Sequence, residues 1–368
     1  MKPAFSACHN GRVGALRKER VNQTSPLPAG LPERFGLAEA SARALGNGLI
    51  NQTWEVSVPG GGRYVLQRLN PIFPAAVNED IDVVTRHLAA LGLETPRLVR
   101  TPAGDAWVEA DGGVWRMLTH VAGVCRNALE TAGQARAAGE LLGRFHRALD
   151  GLEHRFATAR LGVHDTPRHL AALERALTTH RSHPGYGAIA PLGRDILTRA
   201  RELPTLAETP DRVVHGDPKI NNIIFAHDSD TARCLIDLDT LGPMPLPLEL
   251  GDAFRSWCNP GSEDTADTAF DLALFGAAVE GYAAASRGFI DETEWQGIVP
   301  ATMTILVELA ARFCADALEE RYFGWNPTRF PSHSEHNRIR AAGQLRELDS
   351  LLAQRHPAEE RVLRAFAH

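Results

Sequence analysis

Lysine is nearly absent from this chain of 368 residues. Of its 39 basic residues only three are lysine, namely Lys2, Lys18 and Lys219, and all the others are arginine. Such a bias usually reflects the base composition of a genome. It also means that any chemistry that requires a lysine has three candidates, and that none of them lies between Lys18 and Lys219.

Paired cysteines and long apolar runs are missing as well. The five cysteines are scattered without a CxxC pair, so neither a disulfide framework nor a zinc ribbon is indicated. No apolar run approaches the length of a membrane span, and the basic residues near the N-terminus are not followed by the apolar region of a secretory signal. We therefore expect a cytoplasmic protein without a membrane partner.

The remaining composition is ordinary for a globular protein. With 44% hydrophobic and 23% charged residues, the chain is neither disordered nor fibrous, and it is long enough for two or three domains or lobes. The net charge of −6 offers no basic surface for nucleic acid or anionic lipid. A nucleic-acid partner is therefore not expected, whereas the sequence leaves the oligomeric state open.

The first third of the chain predicts a small lobe made of a sheet and a helix. Residues 1–30 are rich in Gly, Pro, Ser and Arg without periodicity, and we interpret them as a mobile leader. Residues 74–91 have helical spacing. Residues 31–120 are therefore the expected N-lobe. The strands are expected at 51–58 and 63–70, which flank a Pro-Gly turn, at 96–101, and as a second hairpin within 106–121.

After Gly123 the pattern changes to helices, which predicts a larger, mainly helical C-lobe over residues 121–368. Between the helices lies a short segment, 212–252, with two strand-like runs. The fold class is therefore α+β. The helices are expected at about 132–152, 167–181, 191–203, 265–286, 291–321 and 336–355.

The segment 212–252 carries the chemistry. Asp217 is followed by Lys219 and Asn222, and a later strand-like run ends at Asp237. A carboxylate on a tight loop can orient a hydroxyl and accept its proton, whereas an amide and a second carboxylate can hold Mg²⁺ against nucleotide phosphates. A lysine can reach the transferring phosphoryl group as a point charge. Each piece alone is weak, but their order is typical of a kinase catalytic loop.

Two stretches carry a family resemblance. HGDPKINN (215–222), followed by LIDLD (235–239), resembles the aminoglycoside phosphotransferase and choline kinase superfamily. The resemblance implies a protein-kinase-like bilobal fold that uses ATP and Mg²⁺. It also implies Asp217 as the catalytic base, Asn222 and Asp237 as Mg²⁺ ligands, and His215 as support for the loop.

Candidate nucleotide-binding residues lie in the N-lobe. Gly46, Asn47 and Gly48 stand where a loop covering the phosphates is expected, because glycine and asparagine let backbone N–H groups approach phosphates closely. Residues 116–123 would form the linker between the lobes, where an extended backbone can bind adenine.

The strand lysine of protein kinases has no counterpart here. Gln67 takes its place in the strand and Arg68 follows, and side chains alternate on a strand, so only one of them points to the nucleotide. If Gln67 does, Lys219 or Arg68 must supply the positive charge. Glu79 or Asp82, on the following helix, could orient whichever residue is used.

Further segments narrow the resemblance. They are GLINQTWEV (48–56), YVLQRLNPIFP (64–74), LGDAFR (250–255) and RFCADALEERYFG (312–324). Over about residues 44–353 the chain resembles the N-acetylhexosamine 1-kinases, which implies phosphorylation of the anomeric hydroxyl of an N-acetylhexosamine to give a sugar 1-phosphate. Position 216 departs from this subgroup, because it is glycine here, as in aminoglycoside enzymes, whereas those kinases have asparagine. An aminoglycoside or another small alcohol is therefore the alternative acceptor.

Candidate contacts to the sugar come from the C-lobe. They are Asp252, Arg255, Arg312, Asp316 and Tyr322. Asp252 could equally cap a helix or anchor a loop. Arg312 and Asp316 are four residues apart on a predicted helix and could simply pair with each other.

Other classes of function remain open at this point. Asp237 and Asp239 form a DxD pair that a metal-dependent glycosyltransferase could use, although such folds normally begin with a parallel sheet. A metallohydrolase could use His215, Asp217 and Asp237, with His333 or His336 as a further ligand, and a catalytically inactive relative could still bind nucleotide. Transfer of the γ-phosphoryl group of ATP to a sugar distinguishes a kinase from all of these.

Overall fold

The N-lobe contains a five-stranded antiparallel sheet. The structure is a computed structural model that describes residues 27–45, 51–157 and 163–367. Within these residues the strands of this sheet run in the order β1-β2-β3-β5-β4. Helix α1 connects β3 to β4. The elements are β1 (Ser41–Ala44), β2 (Gln52–Ser57), β3 (Arg63–Arg68), α1 (Val77–Ala90), β4 (Val108–Ala110) and β5 (Gly113–Thr119).

The predicted hairpin over 51–70 is confirmed, because β2 pairs with β3 in antiparallel fashion with Thr53 opposite Gln67. The predicted strand at 96–101 is wrong, since this segment forms only an isolated bridge between Leu98 and Leu118. The segment begins with Pro96 and is followed by Pro102, and a proline has no backbone N–H to continue a ladder.

The two faces of the sheet have different roles. Trp54, Leu66, Trp115 and other buried side chains of one face form a small hydrophobic core with Leu31 and Phe35. The opposite face carries polar side chains of the three central strands. These are Thr53 on β2, Gln67 on β3 and Arg116 on β5, which stand next to one another in the strand register.

The C-lobe is mainly helical, so the predicted α+β class with a small N-lobe and a larger helical part is confirmed. Three predicted helices differ: the one expected at 191–203 begins earlier, at Tyr186, the one expected at 265–286 begins at Leu272, and the one expected at 291–321 is broken at Gly297. A helix beyond 355 was not predicted. The elements are β6 (Val124–Cys125), α2 (Ala132–Leu149), α3 (Thr166–Thr179), α4 (Tyr186–Glu202), β7 (Asp211–Val214), β8 (Ile223–Phe225), β9 (Ala232–Leu235), β10 (Gly242–Pro245), α5 (Leu246–Trp257), α6 (Leu272–Ala285), α7 (Glu292–Gln296), α8 (Ile298–Glu319), α9 (His333–Ala353) and α10 (Arg355–Phe366).

Helix α8 is the central helix of the C-lobe. Its 22 residues are long and apolar enough to cross a membrane by length and composition alone, so the expectation that no segment approaches this length does not hold. Within the protein, however, 89% of its most apolar window is buried, and it packs against α3, α5 and α9. Its apolar character therefore serves the core of the fold.

Close helix packing also depends on small residues. A Cβ atom at Gly139 of α2 would lie 2.0 Å from the carbonyl oxygen of Ala278 on α6, and one at Gly281 would lie 2.1 Å from the carbonyl oxygen of Arg136. Both distances are far below van der Waals contact. The two helices can approach this closely only because glycine stands at these positions.

Two small sheets position segment 212–252, which carries the predicted catalytic residues. β7 pairs with β10, and β8 lies between β6 and β9. The chain between β7 and β8 and the chain between β9 and β10 therefore emerge side by side beneath the N-lobe sheet. Residues 1–26 of the predicted leader lie outside the described residues, and the lobe boundary at 120/121 stays a prediction.

Candidate active site

The loop after β7 is held by a buried carboxylate at the start of α5. Glu249 accepts hydrogen bonds from the backbone N–H of His215, at 3.0 Å, and of Gly216, at 2.9 Å. On the His215 ring, Nδ1 accepts from the backbone N–H of Asp217, and Nε2 donates to the carbonyl oxygen of Ile236 at 2.8 Å. His215 thus ties the loop to the segment that carries Asp237.

Gly216 is required by the shape of this loop. Its φ is +82°, in the left-handed region, and a Cβ atom would lie 2.3 Å from the carbonyl oxygen of Thr240. The Thr240 hydroxyl also donates to the His215 carbonyl oxygen at 2.8 Å. An asparagine at position 216 would need a different backbone path, so the departure noted in the sequence is built into the loop.

Asp217, Lys219 and Asn222 form one cluster. Lys219 Nζ lies 2.5 Å from Asp217 Oδ2, and both side chains are about a quarter exposed. The Asn222 amide donates to the Asp217 backbone carbonyl oxygen at 2.8 Å. Burial works to raise the pKa of Asp217, but the Lys219 ammonium outweighs it and holds that pKa below its usual range. The Asp217 carboxylate is therefore ionised at neutral pH.

Asp237 directly follows β9 and lies beside this cluster. Its φ of +63° and ψ of +54° place it in the left-handed region, and the N–H of the preceding Ile236 donates to the Asn222 carbonyl oxygen at 2.9 Å. Burial and the neighbouring carboxylates Asp239 and Asp217 raise its pKa to about 6. These causes are electrostatic, and no residue in the described ranges forms a hydrogen bond or ion pair with this carboxylate.

These side chains fit a hard divalent cation. The nitrogen of the Asn222 amide is committed to Asp217, which leaves the amide oxygen for another partner. Together with the carboxylate of Asp237 it forms an all-oxygen donor set, the kind that Mg²⁺ and Ca²⁺ prefer. A bound cation would also relieve the cost of keeping the Asp237 carboxylate ionised among other carboxylates.

The polar face of the N-lobe sheet closes over this loop. Arg116 of β5 forms a bidentate ion pair with Asp239, two residues after Asp237, with Nη2 at 2.9 Å from Oδ2. Gln67 Oε1 accepts from Arg116 Nε at 2.9 Å. Asn51, just before β2, donates to Asp239 Oδ2 at 2.7 Å. Gln67 is therefore the member of the Gln67–Arg68 pair that faces the C-lobe.

Arg68 and Glu79 are placed elsewhere. Arg68 lies on the other face of the sheet, where Nη2 is 3.4 Å from the Asp111 carbonyl oxygen and the guanidinium lies over Trp115. Glu79 is exposed. One residue earlier, the buried Asn78 lies 3.4 Å from Arg116 Nη1, because successive helical residues are rotated by about 100°.

Neither Arg68 nor Glu79 therefore meets Gln67. Asp82, the other helix candidate, pairs with Arg86 and Arg100 instead. The candidates Gly46, Asn47 and Gly48 lie outside the described residues.

Sequence reasoning missed Arg116, Asn78 and Glu249. For Arg116 a signal exists: it is an arginine between Trp115 and Met117, in the middle of a strand that is otherwise mostly apolar, and it stands opposite Gln67. For Asn78 the signal is the helical phase that it shares with Ile81 and Thr85, which are also buried.

Two of the predicted acceptor residues, Asp252 and Arg255, pair with each other on α5, and the charge of Arg255 reaches Asp217. Asp252 Oδ1 accepts from Arg255 Nε at 2.9 Å, and Arg255 Nη1 also lies 2.8 Å from Glu263. Arg255 is buried, and its positive charge is one of the influences that lower the pKa of Asp217. Asp252 therefore holds Arg255 at the edge of the Asp217 cluster rather than capping a helix.

The other three acceptor candidates meet at the end of α8. Asp316 does not pair with Arg312; it accepts hydrogen bonds from His333 and Asn337 and from the backbone N–H groups of residues 321–323, at 2.8–3.0 Å. Burial works to raise the pKa of Asp316, but the hydrogen bonds from His333 and from these backbone N–H groups outweigh it and lower that pKa. Asp316 thus shapes the loop that carries Tyr322. The centre of the Tyr322 ring lies 6.0 Å from Cζ of the Arg312 guanidinium.

A buried histidine connects these two groups. His164 Nδ1 lies 2.9 Å from Glu308 Oε1, and Arg312 Nη1 lies 3.7 Å from the same oxygen. Burial works to lower the pKa of His164, but the bond to Glu308 and the charge of Asp252 raise it. The contact through Glu308 joins His164 to Arg312, and the charge of Asp252 reaches His164 through space. We refer to Asp252, Arg255, Arg312, Asp316 and Tyr322 together as the charged region.

The geometry disfavours the rival classes. His333 and His336, the metallohydrolase candidates, bond to Asp316 and Asp264, and the described ranges contain no group of three or more His, Cys, Asp or Glu that could hold a metal ion. Asp239, the second residue of the DxD pair, is engaged by Arg116. The sheet nearest the site is antiparallel.

Comparisons with known proteins bear on the family and the fold of this chain. The model of the family described as "Phosphotransferase enzyme family" matches residues 41–287. Three solved structures are similar over most of the chain. They are an aminoglycoside phosphotransferase from Alicyclobacillus acidocaldarius (15% identity, 93% of this chain and 96% of that chain, TM-score 0.56), a microcompartment-associated aminopropanol kinase (16%, 88% and 96%, 0.58), and the amicoumacin kinase hAmiN in complex with AMP-PNP, Ca²⁺ and Ami (15%, 85% and 91%, 0.55).

Proposed function

The chain belongs to the phosphotransferase enzyme family, and on that premise we propose that it transfers the γ-phosphoryl group of ATP to the anomeric hydroxyl of an N-acetylhexosamine. One observation carries the kinase activity: the ionised Asp217, paired with Lys219, stands beside Asn222 and an Asp237 carboxylate with no hydrogen bond or ion pair to any described residue. An acceptor hydroxyl, a phosphoryl group and a divalent cation each find a suitable group there.

Asp217 orients the attacking hydroxyl and takes up its proton. A carboxylate with a lowered pKa is a weak base, which suits phosphoryl transfer, since catalysis there depends mostly on positioning and electrostatic stabilisation. Lys219 leaves the carboxylate for the transferring phosphoryl group when ATP is bound, because its charge is then needed on the three equatorial oxygens.

Asn222 and Asp237 are the residues that would hold Mg²⁺. When bound, the cation neutralises charge on the nucleotide phosphates. The hAmiN complex contains both AMP-PNP and Ca²⁺. This supports a binding site for a nucleotide and a divalent cation in this fold. The backbone hydrogen bond between Ile236 and Asn222 joins the segments that carry the two residues that would hold the cation.

The charged region from Arg255 to Tyr322 is the proposed acceptor site. Arg255 is buried and paired through its three guanidinium nitrogens with Asp252 and Glu263, so it adds positive charge near Asp217, whereas the exposed Tyr322 ring can pack against a sugar face. The resemblance of these segments to the N-acetylhexosamine 1-kinases supports this acceptor. Gly216 supports the alternative, an aminoglycoside or another small alcohol, because it is the residue that the aminoglycoside enzymes carry.

A panel of acceptors tests the assignment. N-acetylglucosamine, N-acetylgalactosamine, an unacetylated hexosamine, an aminoglycoside, choline and aminopropanol are each supplied with Mg-ATP, and acceptor-dependent ADP formation is measured. We expect an N-acetylhexosamine to be the best substrate and its methyl glycoside, which has no free anomeric hydroxyl, to be inactive. Equal activity with the methyl glycoside, or a preference for the aminoglycoside, would contradict the anomeric assignment.

Replacing Lys219 by methionine is expected to lower kcat by about 10²–10³-fold, the cost of removing one donor that stabilises the transition state. KM for the sugar should change little, since the lysine acts on the phosphoryl group. Steady-state kinetics measure both constants. Arg364→Met, which removes an exposed arginine of α10, is the control, and an equal loss in the two variants would contradict the role.

The pH dependence of Mg²⁺ binding should follow Asp237. Its folded pKa of about 6 lies above its ordinary value of 3.8, so the folded, metal-free protein holds this proton more tightly than the unfolded chain does. The stability from this group is therefore complete below pH 3.8 and is lost as the pH rises through about 6. Mg²⁺ needs the deprotonated carboxylate.

We therefore expect Mg²⁺ affinity to fall about tenfold per pH unit below this pKa. Isothermal calorimetry with Mg²⁺ alone, from about pH 7 down to about pH 5, measures this slope. An affinity that does not change over that range would contradict the assignment of Asp237.

A further inference from the structure

A buried ion pair joins the two lobes directly above the proposed metal site. Arg116 and Asp239 are each about 98% buried and are 123 residues apart in the chain. Both carboxylate oxygens of Asp239 accept from the guanidinium. The pair is therefore a fixed point of contact between the N-lobe sheet and the segment that carries Asp237.

Arg116 is fully engaged, which decides what kind of role it can have. Nε donates to Gln67 at 2.9 Å, Nη2 donates to Asp239 at 2.9 Å, and Nη1 reaches both Asp239 and Asn78. Since the side chain is buried and every nitrogen has a partner, Arg116 is not placed to bind a phosphate. It acts on the reaction only through what it holds.

We call the face of the N-lobe sheet that carries Thr53, Gln67 and Arg116 the nucleotide face. The same network connects the three strands of this face and helix α1 to Asp239. Gln67 is also bonded to Thr53 on β2, and Asn51 bonds both to Asp239 and to the backbone N–H of Asn70. β2, β3, β5 and α1 are thus attached to one carboxylate of the C-lobe. In protein kinases a strand lysine paired with a helix glutamate connects the corresponding strand and helix, and this chain has no lysine there.

Asp239 in turn controls the position of Asp237. The two are separated by Leu238 alone, and Asp237 is held in the left-handed region at φ +63°. Aspartate adopts that conformation more readily than most residues, but less readily than glycine, so its neighbours contribute to holding it there. The next residue, Thr240, is bonded to the His215 carbonyl oxygen, so Asp239 lies in the middle of a short segment whose two ends carry the proposed metal ligand and the support of the Asp217 loop.

We propose that Arg116 is a positioning residue that, through Asp239, fixes Asp237 for Mg²⁺ and sets the metal site at a constant distance from the nucleotide face of the sheet. It takes over the connecting role of the missing lysine–glutamate pair without contacting phosphate. The proposal rests on the proposed function, because it takes Asp237 as a metal ligand.

Binding of Mn²⁺, measured by electron paramagnetic resonance on the full chain, tests this without requiring turnover. Arg116→Met is expected to weaken Mn²⁺ binding by about 10–100-fold, the usual cost of removing a partner that orients a metal ligand, and Arg116→Lys is expected to recover part of it. Arg100→Met is the control. It removes an N-lobe arginine that pairs with Asp82 on α1, and this variant should bind Mn²⁺ as the unmodified protein does.

A double variant separates positioning from stability. Arg116→Met leaves the buried Asp239 charge without its ion-pair partner, with only the Asn51 amide bonded to it, and should lower Tm, whereas Arg116→Met with Asp239→Leu removes both charges and should regain most of that loss. We expect the double variant to keep the weak Mn²⁺ binding. Wild-type affinity in the double variant, or in a folded Arg116→Met protein, would overturn the proposal.

Failure of the proposed function gives a different result. If the unmodified protein binds Mn²⁺ with the expected dependence on Arg116 but forms no ADP with any acceptor, the proposed reaction fails and the positioning role stands. If Asp237→Asn leaves Mn²⁺ binding unchanged while the acceptor panel shows transfer, the reaction stands and the positioning role fails.

Discussion

Asp217→Asn is expected to lower kcat by about 10²–10⁴-fold, the range for loss of a general base. Asparagine keeps the size of the side chain but can neither take a proton nor pair with the Lys219 ammonium. The loop itself should persist, because Asn222 bonds to the backbone carbonyl of residue 217 and His215 accepts from its N–H. Binding of Mg-AMP-PNP should therefore stay close to that of the unmodified protein.

Rapid-quench kinetics at saturating ATP and acceptor, with calorimetry for the nucleotide, measure the two quantities separately. Asp228→Asn is the matched control: it makes the same chemical change in the exposed turn between β8 and β9 and should have no effect. Undiminished turnover in Asp217→Asn would show that another group serves as the base.

Asp237→Asn is the second variant with a large expected effect. It replaces a charged metal ligand by a neutral one, so Mg²⁺ affinity and kcat should fall together, each by about 10²-fold or more. Asparagine is the appropriate choice because, like aspartate, it tolerates the left-handed backbone conformation. An alanine there would combine loss of the ligand with backbone strain.

The same variant should stabilise the metal-free protein at neutral pH. The pKa of Asp237 is raised to about 6 by burial and by Asp239 and Asp217, so at pH 7 the folded state keeps a carboxylate ionised against its surroundings. Removing that charge removes the cost. Thermal unfolding without metal should show a higher Tm for Asp237→Asn, and the difference should disappear when Mg²⁺ is added to the unmodified protein; a lower Tm would contradict this account of the site.

The chemistry in the loop could be predicted because it is local in sequence. Asp217, Lys219 and Asn222 lie within six residues, and a tight loop between two strands brings their side chains together whatever surrounds it. The structure places them as the spacing requires, with Lys219 Nζ 2.5 Å from Asp217. Their catalytic roles stay predictions until the variants are measured.

The partners of that loop could not be predicted, because they are distant in sequence. Glu249 and Arg116 reach the loops only through the pairing of β7 with β10 and the closure of the sheet over the C-lobe. The register of β3 decides that Gln67 and not Arg68 faces the site, and alternation alone gives the two options without choosing between them. The phase of α1 likewise puts Asn78 where Glu79 was expected.

For the proposed acceptor residues as well, the sequence indicated the residues but not their partners. The pattern around 312–324 indicated a functional surface, but it suggested a pair between Arg312 and Asp316 on one helix face. Asp316 instead accepts hydrogen bonds from backbone N–H groups beyond the end of α8, because the N–H groups of a loop have no helix or sheet partners and must be satisfied in another way. The carboxylate therefore shapes the loop, and Arg312 lies against the aromatic rings that the loop presents.

The most direct test of the account is transfer of label from [γ-³²P]ATP to an N-acetylhexosamine, measured side by side with unmodified protein and Asp217→Asn. We predict a labelled sugar phosphate from the unmodified protein alone, and none from the methyl glycoside. Label that stays in ATP or appears only as inorganic phosphate, whatever acceptor is supplied, would contradict the assignment of this site to phosphoryl transfer onto a small-molecule hydroxyl.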